Sequence, residues 1–341
     1  MRAVSIAFLN TAGLPMVDWS AFAAAIAAPQ RFLLVSHIRP DCDALGSELG
    51  MAGVLDALGK QVRIVNGHAT PPNIAFIDPT RRIETIGAGV EAADLADIEM
   101  VMILDTSAWV QLGPMADVIR GLKARRMVLD HHVGQDELGA ELFKDTTAEA
   151  TGRLVLDAAR HLGVPLTAGI AGPLFAAIAT DTGWFRFGSA GASTFRGAAD
   201  LIDAGAQPAT IYRELYEQDT LARMRLRGTI LAHSATELEG KLAHTYVQAA
   251  DFAATGALPS DTEDAINLLL QVAGTQVATI LVEQATGGFK ISFRSRCAVD
   301  CSQLAGQFRG GGHKAAAGGY IDGPFAEAQA RVLDAVRAAM R

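Results

Sequence analysis

The sequence predicts an α/β protein in which a doubly wound, largely parallel sheet is joined by a helical linker to a smaller α/β domain. Three observations support this fold class. Short apolar runs alternate with helical patterns over about the first 190 residues. Several of those runs stop on Asp or His, and a second alternation begins near residue 229. Because 341 residues, half of them apolar, can bury two cores, we expect domains at 1–205 and 229–341 with the linker at 206–228.

The elements of the first domain follow from the length of each apolar run and from the residues that end helices. Runs of three to five apolar residues are typical of buried strands, and longer periodic segments that stop at Gly are typical of helices. The strands are predicted at 32–35, 62–65, 100–104 and 127–129. The helices are predicted at 19–28, 44–58, 148–162, 168–180 and 193–204.

The chain changes character after the first domain. Residues 209–228 are charged and contain few helix breakers, so we expect one connecting helix there. In the second domain, the strands are predicted at 243–249, 276–283 and 289–294. Its helices are predicted at 262–272, 301–308 and 324–340.

Composition narrows the class of function. The net charge is −8, and a protein that bound long duplexes through phosphate contacts would more often be basic, so a small or short phosphate-bearing substrate is favoured. Three cysteines suit a reducing cytoplasm, where we expect the protein to act. No apolar run reaches the roughly 18–20 residues needed to cross a bilayer, and no membrane association is expected. Residues 1–13 carry one Arg and a short apolar patch, which leaves a signal peptide as a disfavoured alternative.

A cluster of ionisable residues directly follows the first predicted strand. His37, Asp41 and Asp43 fall within seven residues, at the carboxyl end of that strand, where open α/β sheets build their sites. Carboxylates so close together raise each other's pKa unless a cation neutralises them. The simpler interpretation is a turn whose aspartates cap the next helix.

Three later segments favour the metal site over the cap. Asp105 follows one apolar run, Asp130, His131 and His132 follow another, and Asp181 follows a third. Side chains at the carboxyl ends of parallel strands meet at one edge of a sheet, so we expect these residues to gather around a metal. Four aspartates offset the charge of two divalent cations, and mixed imidazole and carboxylate ligands suit Mn²⁺, with Mg²⁺, Co²⁺ or Zn²⁺ as substitutes.

The second domain carries a candidate anion site. Gly310, Gly311 and Gly312 leave backbone N–H groups unshielded, so they can form an anion-binding nest beside His313 and Lys314. Nearby, Arg294 and Arg296 lie two apart on a predicted strand, so their side chains are expected to point the same way.

Taken in order, these segments resemble the DHH phosphoesterase superfamily, and within it the two-domain NrnA-type oligoribonucleases and phosphatases of 3′-phosphoadenosine 5′-phosphate (pAp). The matching segments are HIRPDCDALGS, ILDTS, LDHH and ATDTG, followed by SFRSR and GGGHKAAAG, which resemble the DHH-associated second domain. The resemblance spans most of the chain. It implies cleavage of short single-stranded RNA or DNA oligonucleotides and of pAp, with no long duplex as substrate; a homodimer is left open.

The resemblance also implies a role for each matched residue. Two divalent ions, most simply Mn²⁺, would be held by His37, Asp41, Asp43, Asp105, His131 and Asp181, with Asp105 bridging the pair. His132 would protonate the leaving oxygen, and Asp130 would orient an imidazole. The substrate's far end would be bound by Arg294, Ser295, Gly310, Gly311, Gly312 and His313.

Alternatives remain open at this level. The same site suits a phosphodiesterase of cyclic or linear dinucleotides, and a pyrophosphatase is less favoured because its substrate does not require the arginine and glycine features. A non-catalytic nucleotide-binding relative is disfavoured because every expected Asp and His is present. Trp184, Phe185 and Phe187 either stack a base or, as we favour, pack the floor between the two domains.

Overall fold

A computed structural model describes residues 17–341, so the stretch 1–13 with its alternative of a signal peptide lies outside the described residues. The chain divides into two compact units between Gln218 and Asp219. That division falls inside the segment 206–228.

The first unit contains a six-stranded parallel sheet. Its strands are β1 (Arg31–Val35), β2 (Gln61–Asn66), β3 (Ile83–Thr85), β4 (Met100–Leu104), β5 (Arg125–Asp130) and β6 (Glu141–Lys144). The spatial order is β3-β2-β1-β4-β5-β6, and every neighbouring pair is parallel. The order reverses at β1 and β4, which places their carboxyl ends at the point where ligands bind in such sheets. The predicted doubly wound fold is confirmed.

Helices cover both faces of this sheet. They are α1 (Trp19–Ala27), α2 (Cys42–Ala57), α3 (Met115–Gly121), α4 (Thr151–His161), α5 (Ala168–Asp181), α6 (Ala192–Asp203) and α7 (Pro208–Tyr216). Strand residues alternate between two apolar cores: Leu34 and Met102 pack with α2, α4 and α5, whereas Val35 packs with α3. Because both faces of this sheet are buried, the sequences of its strands are continuous apolar runs.

Close packing of α2 against α5 fixes the position of the segment that follows β1. A Cβ on Gly46 would overlap the Pro173 carbonyl oxygen and lie 2.9 Å from Ala177 Cβ. The two helix backbones can approach this closely only because residue 46 has no side chain.

The second unit contains a mixed sheet. Its strands are β7 (Ala235–Glu237), β8 (Leu242–Val247), β9 (Val277–Glu283), β10 (Phe289–Ser295), β11 (Gly311–Gly312) and β12 (Ala316–Ile321), in the spatial order β11-β12-β10-β9-β8-β7. Only β8 and β9 pair in parallel. Its helices are α8 (Leu221–Ala232), α9 (Ala249–Thr255), α10 (Ala265–Leu269), α11 (Cys301–Gly306) and α12 (Phe325–Ala339).

The structure differs from the sequence prediction in several details, among them helices α3 and α9, which were not predicted. The connecting helix expected at 209–228 is two helices, α7 and α8, because Thr220 Oγ1 accepts the Arg223 N–H and starts a new helix. The helix expected at 262–272 is only the short α10, preceded by a 3₁₀ turn at Pro259–Thr262. Strands β3, β6, β7, β11 and β12 were not predicted, because short or glycine-containing segments have too little apolar periodicity.

Within residues 17–341, no helix combines the length and the apolar character needed to span a lipid bilayer.

Candidate metal centre

The sheet gathers the six predicted metal ligands of the first unit at its carboxyl edge. His37 Nε2 lies 3.3 Å from Asp105 Oδ2 and 4.0 Å from Asp41 Oδ1. Donor atoms of these three residues lie within 4.8 Å of one another. This cluster follows the ends of β1 and β4.

A second cluster shares the edge. His131 Nε2 lies 3.7 Å from Asp43 Oδ2, 3.6 Å from Asp181 Oδ2 and 3.6 Å from Asp105 Oδ1. Asp105 therefore faces both clusters, with one carboxylate oxygen towards each. Its backbone has a φ of +62°, a left-handed conformation that is unusual for Asp and is typical of functional sites.

In each of the two candidate histidine ligands, Nδ1 lies beside a backbone carbonyl oxygen, whereas Nε2 lies beside carboxylate oxygens. His37 Nδ1 lies 3.0 Å from the Ile38 carbonyl oxygen, and His131 Nδ1 lies 3.2 Å from that of Ala148. A carbonyl oxygen only accepts, so each Nδ1 donates its proton to the backbone and each Nε2 is the nitrogen that faces the carboxylate cluster. Anchoring of this kind is typical of metal-binding histidines.

The start of α4 holds two of the aspartates. The backbone N–H groups of Thr151 and Gly152 each donate to Asp43, both at 2.8 Å, and Thr151 Oγ1 donates to Asp105 Oδ1 at 2.9 Å. A helix N-terminus stabilises negative charge, which orients Asp43 before any cation binds. We did not predict Thr151 or Gly152 from sequence, although their place near the start of a predicted helix was a signal.

The electrostatics of the centre fit bound cations. Burial raises the pKa of Asp43, and burial together with the charges of Asp43 and Asp41 raises the pKa of Asp105 well above its usual range. Burial and the charge of Asp43 also raise the pKa of Asp181 to about 6. Divalent cations would relieve this repulsion, so the oxygen and imidazole donors present fit a pair of such ions.

Asp41 has a further role. Its Oδ1 accepts the N–H groups of Asp43 and Ala44 at 3.0 and 3.1 Å and so caps α2. The simpler interpretation, a helix cap, therefore holds at Asp41 alongside its place in the first cluster.

His132 differs from the two other histidines of the site. Its Nδ1 lies 2.8 Å from Asp130 Oδ1, and this hydrogen bond, together with nearby carboxylates, raises the pKa of His132. Its side chain is 55% exposed, whereas Asp130 is fully buried. His132 also stands 3.7 Å from Asp105 and lines a cavity of about 660 Å³ with His37 and Asp105.

Asp130 is held as a carboxylate by its surroundings. Burial opposes its ionisation, but hydrogen bonds from His132 and Ser107 and the charge of Lys144 more than offset burial and lower the pKa of Asp130 to about 2. Because a carboxylate only accepts, His132 Nδ1 must donate, which leaves its Nε2 facing the cavity. Ser107 and Lys144 were not predicted from sequence; Ser107 stood within the ILDTS segment, whereas Lys144 carried no signal.

Comparisons with known proteins agree with this architecture. The family model described as "DHH family, N-terminal domain" matches residues 31–178, and the "DHHA1 domain" matches residues 239–341. The bifunctional oligoribonuclease and PAP phosphatase NrnA of Thermus thermophilus is 31% identical over 313 residues, which cover 89% of this chain and 88% of the relative. The chain belongs to the DHH family.

Two other DHH-family comparisons extend over similar lengths. The bifunctional oligoribonuclease and PAP phosphatase NrnA of Bacillus subtilis is 25% identical over 85% of this chain and 88% of its own. The crystal structure of an exopolyphosphatase-related protein from Bacteroides fragilis has a TM-score of 0.81 at 24% identity, covering 94% of this chain and 95% of that chain. The latter shows a shared fold.

In the DHHA1 domain of this DHH-family protein, two predicted substrate-binding residues, Arg294 and Ser295, lie on opposite faces of β10. Arg294 lines a cavity of about 250 Å³ together with Lys290 and Ser292. Ser295 is buried on the other face, and its Oγ accepts the Cys297 N–H at 3.2 Å. Arg296 lies beyond the strand and donates to the Leu270 carbonyl oxygen at 2.9 Å.

The glycine run is a strand and not the open nest that we expected. Gly311 and Gly312 pair with β12, while the N–H groups of Gly310 and His313 donate to the carbonyl oxygens of Ala305 and Ala316. A Cβ on Gly312, where φ is +144°, would lie 2.7 Å from Ala317 Cα. Close strand pairing therefore explains why glycine is needed at 310 and 312. A substrate role for Gly311 and His313 stays a prediction.

The aromatic residues after Asp181 pack within the first unit. Trp184 lies edge-on to Phe175, Tyr212 and Tyr216, with ring centroids 5.0–6.0 Å apart. Phe185 packs against the same core, whereas Phe187 is 53% exposed. Packing within the first unit describes Trp184 and Phe185, whereas a position between the two domains stays a prediction.

Proposed function

We propose that this DHH-family protein is a divalent-metal-dependent phosphoesterase that hydrolyses short oligoribonucleotides to mononucleotides and pAp to AMP. The single observation that carries the proposal is the position of Asp105 between two groups of potential ligands. Asp105 belongs to the group with His37 and Asp41, and its Oδ1 lies 3.6 Å from His131 Nε2 in the group with Asp43 and Asp181. The names of the relatives from Thermus thermophilus and Bacillus subtilis support the choice of substrates.

The proposed ligand sets follow from the two clusters. His37, Asp41 and Asp105 would hold one ion, and Asp43, Asp105, His131 and Asp181 would hold the other. When bound, the ions supply charge that neutralises the phosphoryl oxygens and lower the pKa of water at the site. Backbone carbonyl oxygens hold the rings of His37 and His131, and the N-terminus of α4 holds Asp43. These contacts keep the proposed metal ligands in position.

His132 is the proposed acid. Asp130 accepts its Nδ1 proton and raises the pKa of His132, which favours the imidazolium form with a second proton on Nε2. That proton faces the cavity and would pass to the oxygen of the departing nucleotide as the P–O bond breaks. The Nε2 atoms of His37 and His131 instead face the carboxylate clusters, which is why His132 is assigned the role.

In the second unit, cationic side chains would bind the anionic part of the substrate that lies away from the bond to be cleaved. Arg294 and Lys290 line one cavity with Ser292, and all three stand on the same face of β10. Their alternate spacing along the strand suits phosphate and sugar oxygens. His313 adds a further candidate contact, and Ser295 would act only by supporting the strand.

The proposal is tested by comparing turnover of pAp, short oligoribonucleotides, pyrophosphate and cyclic dinucleotides with Mn²⁺ present. We expect pAp and the oligoribonucleotides to be hydrolysed fastest. Faster hydrolysis of a cyclic dinucleotide or of pyrophosphate would replace the proposed substrate, and binding without turnover of any of them would make the protein a non-catalytic relative.

Asp105→Asn is the variant that tests the shared ligand. Turnover should fall by about 10³-fold or more, since both ligand clusters lose a charge. The metal-free variant should unfold at a higher temperature than the parent because a buried, repelled carboxyl is removed, which separates lost function from misfolding. Asp117→Asn, on the exposed face of α3, is the matched control and should leave turnover unchanged.

A further inference from the structure

A largely buried lysine contacts Ser107 and Gly134, which line the cavity, and each of its three ammonium protons has an acceptor. Lys144 ends the edge strand β6, and its side chain is 11% exposed. Its Nζ donates to Ser107 Oγ at 2.6 Å and to the Gly134 carbonyl oxygen at 2.7 Å, and lies 3.0 Å from Asp130 Oδ2. Three acceptors for three ammonium protons fix the position of the charge.

These acceptors belong to three different segments around the site. Ser107 follows β4, Asp130 ends β5, and Gly134 lies in the loop that carries His132. Ser107 Oγ also lies within hydrogen-bond distance of both Asp130 Oδ2 and the Gly134 carbonyl oxygen, at 2.8 and 2.7 Å. Lys144 is thus the centre of a polar cluster that ties the His132 loop to the sheet.

Asp130 connects this cluster to the cavity. Its Oδ2 faces Lys144 and Ser107, while its Oδ1 accepts both the backbone N–H and the Nδ1–H of His132, at 3.1 and 2.8 Å. Both carboxylate oxygens are therefore occupied, so Asp130 orients His132 and is not free to join either ligand cluster.

We propose that Lys144 is a positioning residue for the reaction: by pairing with Asp130 it fixes the ring of His132 so that Nε2 faces the leaving oxygen. The inference rests on the proposed function of His132 as the acid. Without Lys144, Asp130 Oδ2 keeps only the Ser107 hydroxyl as a partner, and a buried carboxylate that loses its lysine tends to rearrange. Rearrangement of Asp130 releases the ring of His132.

Dependence on the leaving group distinguishes this role from simple support of the fold. A ribose hydroxyl leaves slowly unless it is protonated, whereas p-nitrophenol leaves readily as its anion. In Lys144→Met, kcat for a dinucleotide should fall by about 10- to 100-fold, part of the usual contribution of a general acid. The kcat for bis(p-nitrophenyl) phosphate should fall less than about threefold, because that reaction needs no acid.

Lys60→Met is the matched control. Lys60 Nζ donates to the carbonyl oxygens of Ala27 and Pro29 at 2.7 and 2.8 Å, so the substitution removes the same group from a similar backbone contact. None of these residues contributes to the ligand clusters or to the Asp130 contacts. Both substrates should be turned over at the parental rate.

A second readout is independent of turnover. In the metal-free protein, the proton on His132 Nδ1 should give a downfield, exchange-protected NMR signal, because it is shared with a carboxylate. The signal should persist in Lys60→Met and be lost in Lys144→Met. Equal losses on both substrates, or an unchanged signal in Lys144→Met, would overturn the inference. If the parent hydrolyses neither substrate, the proposed function fails, while the NMR signal still decides whether Lys144 positions His132.

Discussion

Glu48→Gln should stabilise the metal-free protein at alkaline pH and not at acidic pH. Glu48 lies inside α2, fully buried, and its Oε2 accepts from Asn66 Nδ2 at 2.9 Å. Asn66 in turn accepts the N–H of Ser36, next to His37, at 3.0 Å. Glu48 Oε1 and Ser36 Oγ are buried without a hydrogen-bond partner among residues 17–341.

The size of the effect follows from the pKa of this carboxyl. Burial raises the pKa of Glu48 from 4.5 to about 8. The folded protein therefore holds a proton that the unfolded chain releases near pH 4.5, and this contribution to stability is lost as pH rises towards 8. At about 1.4 kcal/mol per pKa unit, the loss between pH 5 and pH 9 is roughly 4 kcal/mol.

Glutamine resembles the protonated acid, since it can accept from Asn66 and donate towards Ser36 without carrying a charge. The free energy of unfolding of Glu48→Gln, relative to the parent, should therefore increase by about 4 kcal/mol from pH 5 to pH 9. Urea unfolding in the presence of a chelator at several pH values measures this difference. Glu239→Gln, whose side chain is 91% exposed, removes the same charge and should show no such trend. A change below about 1 kcal/mol would mean that Glu48 is ionised in the folded protein, contrary to the argument from burial.

Two further predictions concern the site and the core. Divalent cations should bind more tightly as pH rises from 5 to 7, because protons compete with the cations for the carboxylates of Asp43, Asp105 and Asp181. The pKa of Asp181, about 6, lies within this range. Equal affinity at both pH values, measured by calorimetry, would contradict this prediction. Gly46→Ala should lower the free energy of unfolding by about 1–3 kcal/mol through overlap with α5. Gly172→Ala, in α5 with open space around the added methyl, should be neutral or stabilising, and equal effects of the two substitutions would refute the packing argument.

The sequence was informative wherever one segment carried its own signal. Apolar runs predicted β1, β2, β4 and β5, and the polar residues after three of those strands predicted which side chains meet; the assignment of those side chains as ligands stays a prediction. The glycine run predicted an open nest, but a Gly-Gly-Gly segment suits both a nest and a close strand pair. Pairing with β12 distinguishes the two structures, and β12 was not predicted.

Contacts across segments were beyond the sequence. Lys144 and Glu48 have no local pattern that marks them, and Thr151 is marked only by its place near the start of a predicted helix. Each acquires its role from another element: Lys144 from the end of β5, Thr151 from the end of β4, and Glu48 from β2. Their positions depend on strand register and on how closely helices pack. Neither quantity is encoded in any single window of residues.

By itself, the sequence determined the class of fold, the family and the chemical character of the site, because hydrophobic period and strand-end residues are local properties. The tertiary structure alone decided which histidine has a carboxylate beside Nδ1 and which have a backbone carbonyl oxygen there. That difference separates His132 from His37 and His131, and it arises because the partner of a ring nitrogen depends on the atoms that surround it in space.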